Sequence, residues 1–148
     1  METVHPLIVH FPIALLLTSA GLDLAAVALR RPTLHRIALW NLVLGTLGAG
    51  AAVWTGLRAE EVAKHSFEIW RIITLHKRLG FCTLILGLMG GGARLITRDR
   101  LSPTARGGTM LLAVLMATTL TWGAYLGGRL VYECGVGGSF DRQPTPQP

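Results

Sequence analysis

The sequence predicts an all-α integral membrane protein, a four-helix bundle. Hydrophobic residues make up 51% of the 148-residue chain and charged residues only 15%, and the mean hydropathy is +0.48. Such a composition is too apolar for an ordinary soluble domain of this length. In addition, the chain contains four long apolar runs, each about as long as a helix that crosses roughly 30 Å of hydrocarbon.

The four runs are almost free of charge. Asp23 lies in the first run, residues 7–29, and Arg94 lies near the end of the third, residues 79–96, whereas residues 37–57 and 107–126 carry no charge. Backbone groups in lipid must satisfy their own hydrogen bonds, and no run alternates as a strand does, so we expect helices. We expect one transmembrane domain over residues 1–135 and a flexible Pro-rich tail over residues 136–148.

The orientation is predicted from the first span. Lys and Arg divide equally between the two predicted faces, but none precedes the first run, and Arg30, Arg31 and Arg36 follow it closely. The positive-inside rule therefore places both termini of this multi-pass protein outside the cytoplasm. Arginine-rich loops against anionic lipid headgroups explain the pI of about 10.4, so the charge requires no nucleic acid partner.

Histidines cluster on one predicted face. With four spans, the N-terminus, the loop between the second and third runs, and the C-terminal tail lie on the same side. Four of the five histidines, His5, His10, His65 and His76, fall in these segments, whereas His35 falls in a loop on the other side. The cluster is the strongest sequence indication of a functional site.

The loop before the third run has a helical pattern. His65, Ile69, Ile73 and His76 are spaced by four, four and three residues, which places them on one stripe of a helix. We therefore predict an amphipathic helix that lies at the membrane interface and leads into the third span. His76 would then point into the mouth of the bundle.

The first helix carries two histidines near prolines. Pro12 cannot donate a backbone hydrogen bond, so we expect a kink or a widened turn near His10. His5 and His10 are about 140° apart around an ideal helix. We therefore expect one of them to pair with His76 or His65 rather than with the other.

Two end motifs carry a family resemblance. The opening HPLIVHFPIALL over residues 5–16 and the tail GGRLVYECGVG over residues 127–137, with Asp23 between them, resemble the DUF2231 family of bacterial four-helix membrane proteins. The resemblance extends over nearly the whole chain. Because members of that family occur joined to Rieske iron–sulfur or c-type cytochrome domains, it implies electron transfer, here with quinol or with a separate Rieske or c-type cytochrome partner.

Three classes of function remain open. The first is a haem b electron-transfer protein, because a helical bundle offers an apolar slot and imidazoles supply both axial ligands. The second is a copper or zinc site that uses the same histidines. The third is a non-catalytic accessory subunit in a homodimer or larger complex, in which the glycine-rich helix faces serve packing alone. The candidate ligands are His10 and His76, then His5 and His65, with Arg71 and Arg129 as partners of haem propionates.

Other polar residues receive structural interpretations. We expect Asp23 to pair with Arg30 or Arg36, with proton uptake as the alternative role. We interpret His35 as a loop residue. No phosphate-binding loop, nucleophile elbow or metalloprotease motif occurs, so the sequence leaves open whether the protein is an enzyme.

The two cysteines share the outer face. A disulfide between Cys82 and Cys134 is conceivable in an oxidising compartment. The predicted position of Cys82 inside the third helix argues against it, because disulfide geometry is demanding.

Overall fold

The computed structural model describes residues 4–60 and 67–136, and within them it contains four long α-helices. Each helix is long and apolar enough to cross a membrane. The helices are α1 (Val4–Ala28), α2 (Pro32–Glu60), α3 (Phe67–Ile96) and α4 (Pro103–Tyr132). The predicted all-α membrane bundle is confirmed. The predicted flexible tail, apart from Val136, lies outside the described residues.

The helix ends follow local rules. α2 begins at Pro32 and α4 at Pro103, where a missing backbone N–H costs nothing. The Ser102 hydroxyl caps α4 by accepting a hydrogen bond from the Ala105 N–H at 3.2 Å. After α1, Arg30 takes a left-handed conformation with φ of 54°, and this allows the turn into α2.

The predicted interfacial segment belongs to α3. From Phe67 onward it is helical and continuous with the span, and Ile73 and His76 on its stripe are buried or partly buried. The beginning of the predicted segment, including His65, lies outside the described residues. α1 is likewise unbroken at Pro12, where Gly48 of α2 leaves room for the proline ring.

The helices form a ring in chain order. α1 packs mainly along α2 and α3 along α4, with smaller contacts between α2 and α3 and between α1 and α4. α1 and α3 are therefore diagonal to each other across the bundle and meet only through side chains. The buried core contains Leu16, Leu42, Ala49 and Met116, and many large apolar side chains cover the outer surface, as expected for a surface in contact with lipid.

Glycines in mid-bundle serve close packing. A Cβ atom on Gly45 would lie 2.7 Å from Leu16 Cδ2, and one on Gly87 would lie 2.6 Å from Thr46 Oγ1. Both positions are filled by neighbouring side chains, so these glycines let α2 approach α1 and α3. They do not line an open slot.

The two helix pairs repeat one pattern of residues. Several equivalent positions in α1–α2 and α3–α4 are separated by the same 71 residues without a gap. These are His5 and His76, Asp23 and Arg94, Pro32 and Pro103, and Gly56 and Gly127. Since α1 and α3 are diagonal and run in the same direction, the two hairpins are related by an approximate twofold axis along the membrane normal, as in parallel repeats of other membrane proteins.

Candidate functional site

His5 and His76 meet at one end of the bundle. His5 lies in the first turn of α1, and His76 lies more than two turns into α3, which extends farther out. Their ring centroids are 6.4 Å apart and their planes are nearly perpendicular, at 84°. Both rings are partly buried. The site is therefore formed across the diagonal of the bundle by equivalent residues of the two repeats.

Each imidazole is fixed through its Nδ1 atom. His76 Nδ1 lies 2.8 Å from the Gly123 carbonyl oxygen, which can only accept, so Nδ1 carries the proton. His5 Nδ1 lies 3.1 Å from Thr55 Oγ1, and the Thr55 hydroxyl proton is already directed to the Ala51 and Ala52 carbonyls. His5 Nδ1–H therefore donates as well. When the rings are neutral, the lone pair of each lies on Nε2.

A glycine lies beside each ring. A Cβ atom on Gly56 of α2 would lie 3.0 Å from Cε1 of His5, and one on Gly127 of α4 would lie 3.0 Å from Cε1 of His76. That spacing is tighter than ordinary van der Waals contact, so a larger residue would shift the rings. The two glycines occupy equivalent positions in the repeats and determine where the two histidine rings can lie.

The other predicted site residues are placed differently. His10 is exposed, and its Nδ1 lies 2.6 Å from the Pro6 carbonyl of its own helix, so His5 and not His10 contacts His76. Arg71 is exposed, and Arg129 Nε donates to Glu133 Oε2 at 2.7 Å. His65 lies outside the described residues.

The histidine pair offers two protein ligands. Among residues 4–60 and 67–136, no group of three or more His, Cys, Asp and Glu side chains could hold a metal ion. A two-imidazole arrangement matches haem iron, whose other four ligands come from the porphyrin. It is also compatible with a copper ion of low coordination number.

A buried ion pair lies at the opposite end of the same diagonal. Arg94 of α3, 2% exposed, donates from Nη1 to Asp23 Oδ2 of α1 at 2.6 Å. Its Nη2 donates to the His35 carbonyl at 2.6 Å, and its Nε donates to Asp99 Oδ1 at 3.0 Å. His35 Nδ1 donates to Asp23 Oδ1 at 2.7 Å. All three nitrogens of the guanidinium and both oxygens of the Asp23 carboxylate are thus satisfied.

Two sequence predictions about this end were wrong. The partner of Asp23 is Arg94, not Arg30 or Arg36, both of which are exposed. His35 is not a loop residue, because it lies in the first turn of α2 and is buried. A carboxylate that faces the bundle interior requires a partner that is also interior, and Arg94 of α3 supplies it.

The spacing of charged and histidine residues could have revealed this partner. Asp23 follows His5 by 18 residues, and Arg94 follows His76 by 18 residues. Eighteen residues are about five helical turns, so both members of each pair lie on one face of their helix. This shared spacing was the signal that sequence analysis missed.

Both cysteines are free. Cys82 is exposed on α3, and Cys134 is partly buried after the end of α4. The structure thus contains no disulfide between them, in line with the argument from helix position.

The family of the chain follows from comparison with known proteins. A family model described as "Predicted membrane protein (DUF2231)" matches residues 1–139. The chain belongs to the DUF2231 family. The match includes all four helices, the histidine pair and the buried ion pair, so this DUF2231 protein is a multi-pass membrane protein in contact with the lipid bilayer. No curated protein and no solved structure matches the chain with significant similarity.

Proposed function

We propose that this DUF2231 protein binds haem b and transfers electrons, with His5 and His76 as the two axial ligands near the extracytoplasmic face. One observation carries the proposal. Two imidazoles from diagonal helices lie with their ring centroids 6.4 Å apart, and each is held at Nδ1 by the protein. His10, the ligand favoured on sequence grounds, is exchanged for His5.

The distance between the rings supports ligation of one metal ion. A metal–imidazole bond is about 2 Å long, and the ring centre lies about 1 Å behind the bonding nitrogen, so two imidazoles on opposite sides of one ion have centroids about 6 Å apart. The observed separation is 6.4 Å. The observed separation is thus close to the one that ligation of a single ion requires.

The surrounding groups match those that tune histidine ligands. Histidines that bind metals usually donate their second N–H to a carbonyl or another acceptor, which fixes the tautomer and the ring orientation. The Gly123 carbonyl and the Thr55 hydroxyl have this role here. Bound haem would supply one-electron chemistry. Arg129 would reach a propionate by exchanging its Glu133 partner, and exposed Arg71 is the second candidate.

The partners follow from the position of the pair. The histidines lie at the end of the bundle that also holds the end of α4, which the positive-inside rule places outside the cytoplasm. Electrons would pass between this end and quinol in the bilayer, or a Rieske or c-type cytochrome protein at the surface of the bacterial inner membrane.

The test is a reduced-minus-oxidised visible spectrum of the full chain, purified in detergent after expression with ample haem. We expect a sharp low-spin b-type spectrum with near-stoichiometric haem. His5→Ala and His76→Ala should each abolish the low-spin signal, because each removes an axial ligand. His10→Ala is the matched control and should leave the spectrum unchanged.

Three results would contradict the proposal. Loss of haem in His10→Ala but not in His5→Ala would restore the sequence-based assignment. A colourless protein that binds one copper or zinc ion, and loses it in His5→Ala and His76→Ala, would assign the pair to that metal. A colourless protein that binds no metal would leave an accessory role in a membrane complex.

A further inference from the structure

A cleft lies at the end of the bundle opposite the histidine pair. It has a volume of about 580 Å³ and is formed by the start of α2, the end of α3 and the start of α4. Its polar lining contains four arginines, Arg36, Arg94, Arg98 and Arg106, together with His35 and Asp99. Arg94 of the buried ion pair therefore lines an open, strongly basic cavity.

The positive charge of the cleft is not balanced. Arg94 pairs with both Asp23 and Asp99. The four guanidinium groups of the cleft are therefore only partly balanced by two carboxylates. Among the described residues, no carboxylate lies within ion-pair distance of Arg36, Arg98 or Arg106. Arg106 Nη2 donates to the Asp99 backbone carbonyl, at 3.2 Å. The cleft can thus accept an anion without displacing an existing ion pair.

The loop that places Arg98 is held in an unusual conformation. Arg98 and Asp99 have φ angles of 51° and 57°, a region that residues other than glycine rarely adopt. The Asp99 carboxylate is held by Arg94 Nε and its carbonyl by Arg106 Nη2. Left-handed residues commonly end helices, as Arg30 does after α1, and here the turn places Arg98 at the edge of the cleft.

The other wall of the cleft is apolar. Leu39, Trp40 and Leu95 line it, and Trp40 and Leu95 are about half exposed at the outer surface of the bundle. An exposed tryptophan near the end of a membrane helix lies at the depth of lipid headgroups. Basic pockets between membrane helices at this depth bind phosphorylated headgroups, and guanidinium forks match phosphate oxygens.

We propose that this cleft binds a phosphate group, supplied by the headgroup of an anionic phospholipid or by a phosphate compound in solution. Arg36, Arg98 and Arg106 contact the phosphate oxygens, and Leu39, Trp40 and Leu95 contact the less polar part of a lipid. The site is separate from the histidine pair, so it does not depend on the proposed haem.

The experiment measures binding of phosphatidylglycerol to the full chain in detergent by native mass spectrometry. In parallel, the thermal unfolding midpoint of the same protein is measured with and without inorganic phosphate. The test variant is Arg36→Gln with Arg98→Gln, two exposed positions in the cleft. The matched control is Arg31→Gln with Arg100→Gln, which removes the same charge from exposed positions at the same end of the bundle but outside the cleft.

We expect phosphatidylglycerol to bind with one preferred site, and the test variant to weaken that binding by roughly tenfold, as the loss of charge-assisted hydrogen bonds predicts. The control variant should bind as the native chain does. Stabilisation by inorganic phosphate that the test variant loses would identify a phosphate compound in solution, whereas binding of the lipid without such stabilisation would identify a headgroup. Equal losses in both double variants, or no loss in either, would overturn the proposal.

Discussion

The two ends of the α1–α3 diagonal use equivalent positions in different ways. At one end His5 faces His76, and at the other end Asp23 faces Arg94, each pair being separated by the same 71 residues. At the ion-pair end, both Asp23 oxygens and all three guanidinium nitrogens of Arg94 have partners. At the histidine end, each ring is held at Nδ1 by a neutral group, the Thr55 hydroxyl or the Gly123 carbonyl. The ion pair is part of a saturated hydrogen-bond network, which is typical of a structural role, whereas the two imidazoles are potential ligands.

The ion-pair end gives the largest expected effect on stability. Replacing Arg94 with Met leaves the Asp23 carboxylate buried without its cation, which typically costs about 3–5 kcal/mol. We expect the thermal unfolding midpoint of Arg94→Met in detergent to fall far below that of the native chain. The double variant Asp23→Asn with Arg94→Met should recover part of the loss, because the buried Asp23 charge is then removed and only the less buried Asp99 carboxylate has lost its cation. If Arg94→Met were as stable as the native chain, the ion pair would not hold the two hairpins together.

The histidine end should respond through ligand binding more than through folding. Gly56→Ala and Gly127→Ala each place a methyl group against a histidine ring, so we expect the haem affinity to fall by roughly tenfold, which corresponds to about 1.4 kcal/mol, and the haem-to-protein ratio to fall with it. The helix itself should not weaken, since Ala favours helices over Gly by up to about 1 kcal/mol. The measurements are the haem-to-protein ratio and the circular dichroism melting curve.

The control for this prediction is Gly128→Ala, because a Cβ atom there meets nothing within 4 Å. It lies in the same helix, next to Gly127, and should retain full haem occupancy. If Gly128→Ala lowered occupancy as much as Gly127→Ala, the contacts between the glycines and the histidine rings would not determine the positions of the rings.

A partly exposed ion pair provides the smallest expected effect. Lys77 Nζ lies 2.7 Å from Glu60 Oε1, and both side chains are partly open to solvent. A double-mutant cycle with Lys77→Met and Glu60→Gln should give a coupling of only about 0.2–1 kcal/mol, and added salt should reduce it. A coupling as large as that of Asp23 with Arg94 would remove the contrast between buried and exposed pairs.

Most of the fold could be predicted from the sequence because membrane spans depend on local composition. Each apolar run maps onto one helix, with only Asp23 and Arg94 inside the runs as charges. The glycines at 45 and 87 were also interpretable as packing residues, and the structure fills both positions with neighbouring side chains. Local periodicity and length suffice for these conclusions.

The candidate site was only partly predictable because its contacts cross the bundle. The choice of His5 over His10 depends on which side of α1 faces α3, and that depends on the ring order of the helices. The partner of Asp23 lies 71 residues away on a helix that shares no backbone contact with α1. Neighbouring arginines in sequence suggested the wrong partner. Hydropathy carries no information about such diagonal pairs, whereas comparison of the two halves does.

The repeat explains why the two ends differ in kind. In a symmetric dimer of two identical hairpins, a residue on the twofold axis faces its own copy. A histidine can face a histidine in such a dimer, but a carboxylate can only face another carboxylate. The Asp23–Arg94 pair therefore requires two non-identical halves, and joining them in one chain supplies this asymmetry. A hairpin expressed alone could rebuild the histidine pair by self-association. It could not rebuild the Asp23–Arg94 ion pair, because each hairpin contains only one of the two residues.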